Sequence, residues 1–366
     1  MRASKKHSTA LLPSIVLVLV GASACKSDTS TGLTASDPEL SFGRSVPAYT
    51  SEILPLLAGE NQSRSTGVND AGEVVGNGCC TPFIRAFARL GGVVSFLPGD
   101  NTRAQAISNG AVRYVVGSIG NPPLPVRWEI AGGGPGQPTY LAVGNATSGL
   151  ASGVNDAGSA VGSVASQAAM WDADGNLTLI SPPAGFVTGY GRDVSNQGHA
   201  VFVFTRPDAA WPNGLTTGYL RLASGVMVPL LPLTAGGSST ATGVSLAVGD
   251  LIKVSGTTRA NSSVLSQSAV RWTVNIATEQ IVATEVRPQG SYAAAISDAG
   301  IVAGYVQDSR GGSSAFRWEN ANIVSLIPPR GIKNPTAFAI SPNGLLVAGE
   351  GAARYPRALL WTFPSL

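Results

Sequence analysis

The sequence predicts an all-β fold, a seven-bladed β-propeller of four-stranded blades, and three observations carry that prediction. Only 12% of the 366 residues are charged, a composition poor in Lys and Glu helix formers and far from that of a charge-driven disordered chain. The 45 Gly and 24 Pro supply turns throughout without reaching low-complexity levels. A segment of about a dozen residues recurs along the chain, and such a period marks a repeat architecture. The same counts exclude some functions. A formal charge of +3 is too small for a nucleic-acid surface, and two His and three Cys leave little material for zinc ligation or His-based catalysis. No cofactor and no metal site is expected, and no catalytic residue is assigned.

In chain order, residues 1–24 read as a signal peptide. Arg2, Lys5 and Lys6 precede the apolar run from Leu11 to Val20, and Gly21-Ala-Ser-Ala-Cys25 places small residues at a cleavage site; the run is too short to span a bilayer. The junction also resembles a bacterial lipobox. That resemblance implies acylation of Cys25, a cell-envelope address at the outer membrane or cell surface, and membrane contact through the lipid anchor only. Simple secretion is the alternative. Residues 25–47, rich in Ser, Thr and Asp, read as a flexible tether, and residues 48–366 as the propeller. Loss of residues 1–24 leaves 21 basic against 21 acidic side chains.

The repeats follow. Ser65-Thr-Gly-Val-Asn-Asp-Ala-Gly-Glu-Val-Val-Gly76 recurs as Ala151-Ser-Gly-Val-Asn-Asp-Ala-Gly-Ser-Ala-Val-Gly162, with looser copies beginning at Ala104, Gly191, Ala293 and Ala337 and a degenerate one at Ala241. The turn glycines Gly72, Gly110, Gly158, Gly198, Gly249, Gly300 and Gly344 lie 38, 48, 40, 51, 51 and 44 residues apart. Each Gly is expected at positive φ, closing a hairpin whose Asn or Ser accepts a backbone hydrogen bond. A second signature follows: Arg85-Ala-Phe87, Val126-Arg-Trp128, Ala169-Met-Trp171, Gly218-Tyr-Leu220, Val270-Arg-Trp272, Phe316-Arg-Trp318 and Leu359-Leu-Trp361. A short apolar run such as Val93-Val-Ser-Phe-Leu97 completes each unit. Four strand signals in about 45 residues is the size of a propeller blade.

The seventh unit stops after its third strand, and the segment around Ile53 to Leu57 looks like the missing fourth. It is expected to complete the last blade and close the ring, protecting edges that would otherwise be unpaired. The N-D-A-G hairpins and aromatic-ended strands resemble the HAF-type extracellular repeat family over most of Ser65 to Leu366. The resemblance implies an exported repeat protein and assigns no chemistry.

Function is expected on the face opposite the uniform first turns, where segments 77–83, 118–125, 205–217, 257–268 and 306–314 read as irregular loops. They offer Trp211, Arg206, Asp208, Tyr305, Arg259 and Arg310 as candidate ligand-binding residues, an aromatic and Arg mixture suited to a glycan, peptide or protein. On the innermost strands, the small position filled by Gly67, Ala106, Gly153, Gly243, Ala295 and Ala339 holds Asp193 in the fourth repeat, beside Arg192. The pair is a candidate binding or acid-base group, against a structural Asp held by backbone donors. Cys79 and Cys80 are a candidate vicinal disulfide in an exported protein, and His199 reads as a surface residue. The expected function is a monomeric, surface-attached binding or structural module; the alternative is a secreted propeller enzyme of lyase or hydrolase type with its site at the channel mouth.

Overall fold

The computed structural model describes residues 49–79 and 84–365; the expected signal peptide, Cys25, the whole of the tether and Cys80 lie outside them. Pro47–Leu366 forms one compact unit. Its described residues make seven four-stranded antiparallel sheets, six of them built from consecutive strands and the seventh from the last three strands and the first, and these are the blades of a propeller. Blade 1 runs from the axis outward through Gln62–Val68, Val74–Cys79, Arg85–Leu90 and Val93–Phe96. The innermost strands of blades 2 to 7 are Thr102–Ile107, Gly149–Val154, Thr188–Val194, Ser238–Val244, Ser291–Ile296 and Lys333–Ile340. Second strands read as continuous buried runs, as in the first five residues of Ala200–Asp208, because a neighbouring blade covers each face.

Every innermost strand carries a β-bulge at the same place, for instance between Ser65 and Gly67 or Ala151 and Gly153. Opposite it the second strand supplies Gly76, Gly117, Gly162, Gly256, Gly304 or Gly349. A Cβ on any of these would land on a carbonyl oxygen of the bulged strand, that of Leu150 for Gly162. The repeated glycine is therefore a requirement of close backbone approach. Blade 4 reverses the arrangement, with Phe202 on the second strand opposite Gly191.

Thr50–Ile53 pairs antiparallel with Pro356–Thr362 as the fourth strand of blade 7, and the Leu54 N–H donates to the Ala358 carbonyl at 2.9 Å. The expected segment, Ile53 to Leu57, was placed too late: Pro55 has no N–H to continue the ladder. Leu54-Pro55 corresponds to Leu97-Pro98 of blade 1, where the Leu97 N–H donates to the Ala86 carbonyl.

Six of the seven turn glycines have φ between 58° and 83°. Gly110 does not: it stands two residues after Ser108, in a hairpin that closes from the Ser108 N–H to the Tyr114 carbonyl, whereas the blade 1 glycine stands three residues after Asn69 in a turn that closes to Glu73. The second signature is also corrected in two blades. Cross-strand register places Arg89 and Arg221 at the position that Trp128, Trp171, Trp272, Trp318 and Trp361 fill elsewhere, so the motif read at Arg85–Phe87 lies two residues early and that at Gly218–Leu220 one residue early.

The Arg-Trp pair of this signature joins blades in both directions. The Trp128, Trp171 and Trp361 indoles donate backward to the carbonyls of Pro98, Ala142 and Ile327 in the preceding linkers. Arg127, Arg271 and Arg317 donate forward to the carbonyls of turn glycines Gly158, Gly300 and Gly344 of the next blade. A second set of joints runs through the first turns. Asp70 and Asn109 exchange hydrogen bonds, as do Asp156 and Asn196, and the Asn109 N–H reaches the Asp156 carboxylate at 2.6 Å. The Asn343 N–H returns to Asp70 across the seam. Residues expected only to shape turns therefore also form a belt on one face.

Two of the expected irregular loops are regular structure. Residues 205–217 form a hairpin arm in which Thr205 pairs with Thr216 and Asp208 with Trp211. In segment 257–268 the strands extend to Arg259 and resume at Gln267, after a single 3-10 turn at Val264–Ser266.

Candidate functional site

A cavity of about 440 Å³ lies on the propeller axis, walled by the innermost strands. These strands run from the irregular face toward the first turns, so the two mouths differ in chemistry. At the belt end the position after the turn's first residue reads Asp70, Asn109, Asp156, Asn196, Leu246, Asp298 and Pro342 around the ring. Asp70 and Asp156 each receive an Asn amide. Asp298 stands between Leu246 and Pro342, which have no side-chain donor, and its pKa is pushed up to about 6 by burial and then by the charges of Asp193, Asp70 and Asp156.

That shift has a testable consequence. A carboxyl whose folded pKa exceeds its unfolded value of 3.8 adds stability below that value and loses it as pH rises through about 6. Asp298→Asn should therefore raise the unfolding midpoint at pH 7.5 and leave it nearly unchanged at pH 4. Equal shifts at both pH values would contradict the repulsion.

The opposite mouth is aromatic and cationic. Tyr292 stacks on its cross-strand partner Tyr305 with centroids 5.2 Å apart, Tyr305 meets Phe338 edge-on at 6.4 Å, and the Arg64 guanidinium lies 4.9 Å above the Phe338 ring. Arg64 is bound through two 2.8 Å hydrogen bonds to Glu350, so this row spans blades 6, 7 and 1. On the far side of the mouth, Tyr190 and Arg192 project from the innermost strand of blade 4. Burial raises the Tyr190 and Tyr305 phenols, while Arg259 opposes the shift in both. A second cavity, of about 320 Å³, opens on the same face between blades 4 and 5, lined by Trp211, Thr216, Ser238, Thr240, Thr257 and Arg259 among others.

Of the residues expected from the sequence, the structure brings Tyr305, Arg192 and Asp193 to the channel, and Trp211 and Arg259 to the second cavity. Trp211 is 8% exposed and forms wall, not platform. Asp208 caps its own turn by accepting from the Ala210 N–H, Arg206 lies over Phe186, and Arg310 sits in a turn held by Asp308; these three line neither cavity. Asp193 accepts from the backbone N–H groups of Val194 and, across the joint to blade 5, Val244, and burial raises its pKa. It is a structural joint of the channel wall. His199 is buried, not at the surface: its Nδ1 accepts from the Ala223 N–H and burial lowers its pKa. Cys79 is disulfide-bonded, and both other cysteines of the chain, Cys25 and Cys80, lie outside the described residues. Sequence reasoning missed Arg64, Tyr190, Tyr292 and Phe338. Only Phe338 had a signal, an aromatic at the repeat position that Thr66, Ser152 and Thr242 hold elsewhere; Arg64, Tyr190 and Tyr292 share a position that also holds Arg103 and Leu150.

Among solved structures, virginiamycin B lyase from Staphylococcus aureus in complex with quinupristin superposes with a TM-score of 0.56 at 13% identity, covering 86% of this chain and 100% of that one. A streptogramin B lyase gives 0.53 at 10% identity, covering 86% and 98%, and YCF48 from Cyanidioschyzon merolae 0.51 at 13%, covering 86% and 98%. These similarities establish the seven-bladed propeller fold. No family model matches the chain, and no curated protein does.

Proposed function

We propose that the protein is a non-enzymatic binding module that holds its ligand at the aromatic, cationic mouth of the channel, and that it is exported and anchored to the cell envelope through acylated Cys25. The observation that carries the binding site is the row of Tyr292, Tyr305 and Phe338 beside Arg64, on an open cavity that Arg192 also lines. Aromatic faces and guanidinium groups at the rim of a concave site are the groups that dominate recognition energies. The resemblance to exported repeat proteins and the lipobox-like junction support the address. The competing reading, an enzyme of the lyase kind found on this fold, needs a general base at the mouth. Asp193 is engaged by two backbone donors and His199 by its neighbouring turn, which favours binding.

A glycan and peptide array probed with the purified protein tests the reading. Binding to a restricted set of ligands is expected, weakened about tenfold or more by Tyr305→Ala, as for a central aromatic anchor. An array with no binder, or a Tyr305→Ala variant that binds as well as the parent, would remove the mouth as the site.

A further inference from the structure

We propose that the ligand is an acidic oligosaccharide, with a uronic-acid carboxylate held by Arg192 in the channel mouth and an adjoining sugar in the second cavity beside Trp211, Arg259 lying between the two. The inference rests on the mouth being a binding site and goes further in naming what it binds. Its first support is the state of the guanidinium groups. Those of Arg64, Arg271 and Arg317 are engaged by carboxylates. Arg192 and Arg259 are half-buried and make no ion pair or side-chain hydrogen bond among the described residues. A partly desolvated guanidinium with open donors matches a carboxylate in paired geometry. Competing acids are already occupied: Glu350 is bound to Arg64, and Asp193, one layer deeper, accepts from backbone donors.

The second support is the wall chemistry. The second cavity presents the hydroxyl-bearing residues Thr216, Ser238, Thr240 and Thr257 with a single aromatic, Trp211, and the buried Thr257 hydroxyl has no hydrogen-bond partner. A hydroxyl-rich lining with one ring suits a sugar and offers no apolar pocket for a peptide side chain. Thr240 lies on the innermost strand of blade 5, between the strands of Tyr190 and Tyr292 and at the same level. The two cavities therefore adjoin at the mouth, and a ligand of at least two units can enter both.

Titration calorimetry of the purified protein with tetragalacturonate, tetraglucuronate and tetramannuronate, each beside its carboxyl-reduced neutral counterpart, tests the proposal. At least one acidic oligomer should bind, with its neutral counterpart weaker by about tenfold or more. Arg192→Gln and Arg259→Gln should each lower affinity for the acidic form by a similar factor and for the neutral form by distinctly less. Arg192→Lys should recover part of the loss. Unchanged thermal unfolding confirms that the variants fold; should a Gln variant unfold, the Lys variant and the acidic-to-neutral ratio of the parent decide. Equal affinity for acidic and neutral oligomers, or Gln variants that bind as the parent does, overturns the proposal. Binding of neutral glycans or acidic peptides on the array, with no uronate bound, overturns it while leaving the binding module intact. Failure of every array ligand removes both.

Discussion

Deleting residues 48–60 will lower the midpoint of thermal unfolding by about 10 °C or more. The deletion strips the fourth strand from blade 7 and exposes the edge of Pro356–Thr362. It removes Leu54, 1% exposed in the seam cluster with Val68, Phe87, Leu346 and Leu360, whose burial contributes about 2 kcal/mol. It also removes the ladder to residues 359–362, worth about 1 kcal/mol per hydrogen bond. With it go the Tyr49 hydroxyl, which joins the Ser325 carbonyl to the Ile327 N–H, and the Glu52–Arg89 ion pair. Losses of at least about 5 kcal/mol at roughly 2 °C per kcal/mol give the stated drop. Leu54→Ala isolates the packing part and should cost about 3 kcal/mol. A deletion variant that melts with the parent would show that the ring does not depend on its closing strand.

Gly162→Ala will destabilise the protein by about 3 kcal/mol or more, although it adds one methyl group to a strand that any residue could otherwise occupy. The added Cβ would meet the Leu150 carbonyl oxygen, with the Ala151 Cα 2.9 Å away. Neither atom can move without opening the bulge that turns the innermost strand toward the axis. Gly134→Ala is the control, since a Cβ there meets nothing within 4 Å; its effect should stay within about 0.5 kcal/mol, as for ordinary surface changes. Urea unfolding of both variants, read at equal slope, measures the difference. Similar midpoints would mean that the bulge is soft and the repeated glycine has another cause.

Much of the fold was legible because a repeat reports on itself. Turn glycines at a period near 45 residues, four strand signals per unit and a unit short of one strand are enough to specify seven blades and a closed ring. What the repeat obscured is what happens between blades. The Asn-Asp turns and the Arg-Trp signature read as local features, yet their hydrogen bonds run to residues about 30 to 50 positions away. Register slipped at Arg89 and Arg221 because a long aliphatic stem there replaces an indole, which hides the motif from a search for aromatics. His199 was misplaced because a residue after a turn glycine looks exposed until the adjoining turn at Ala223 folds over it. The candidate site was half legible. Arg192 and Tyr305 could be found, whereas the row that includes Phe338 and Arg64 exists only after the ring closes and sets blade 7 against blade 1.

The Arg-Trp clasp reaches forward from blades 2, 5 and 6 and backward from blades 2, 3 and 7, so the joints it makes are all of one head-to-tail kind. At the seam the first and last parts of the described propeller meet, with the Tyr49 and Phe363 rings 4.9 Å apart. Nothing in the circle of contacts marks a beginning. In topological terms the propeller is a cyclic object carrying a cut, and the same blades, threaded from a different linker with the old ends joined, would describe the same molecule.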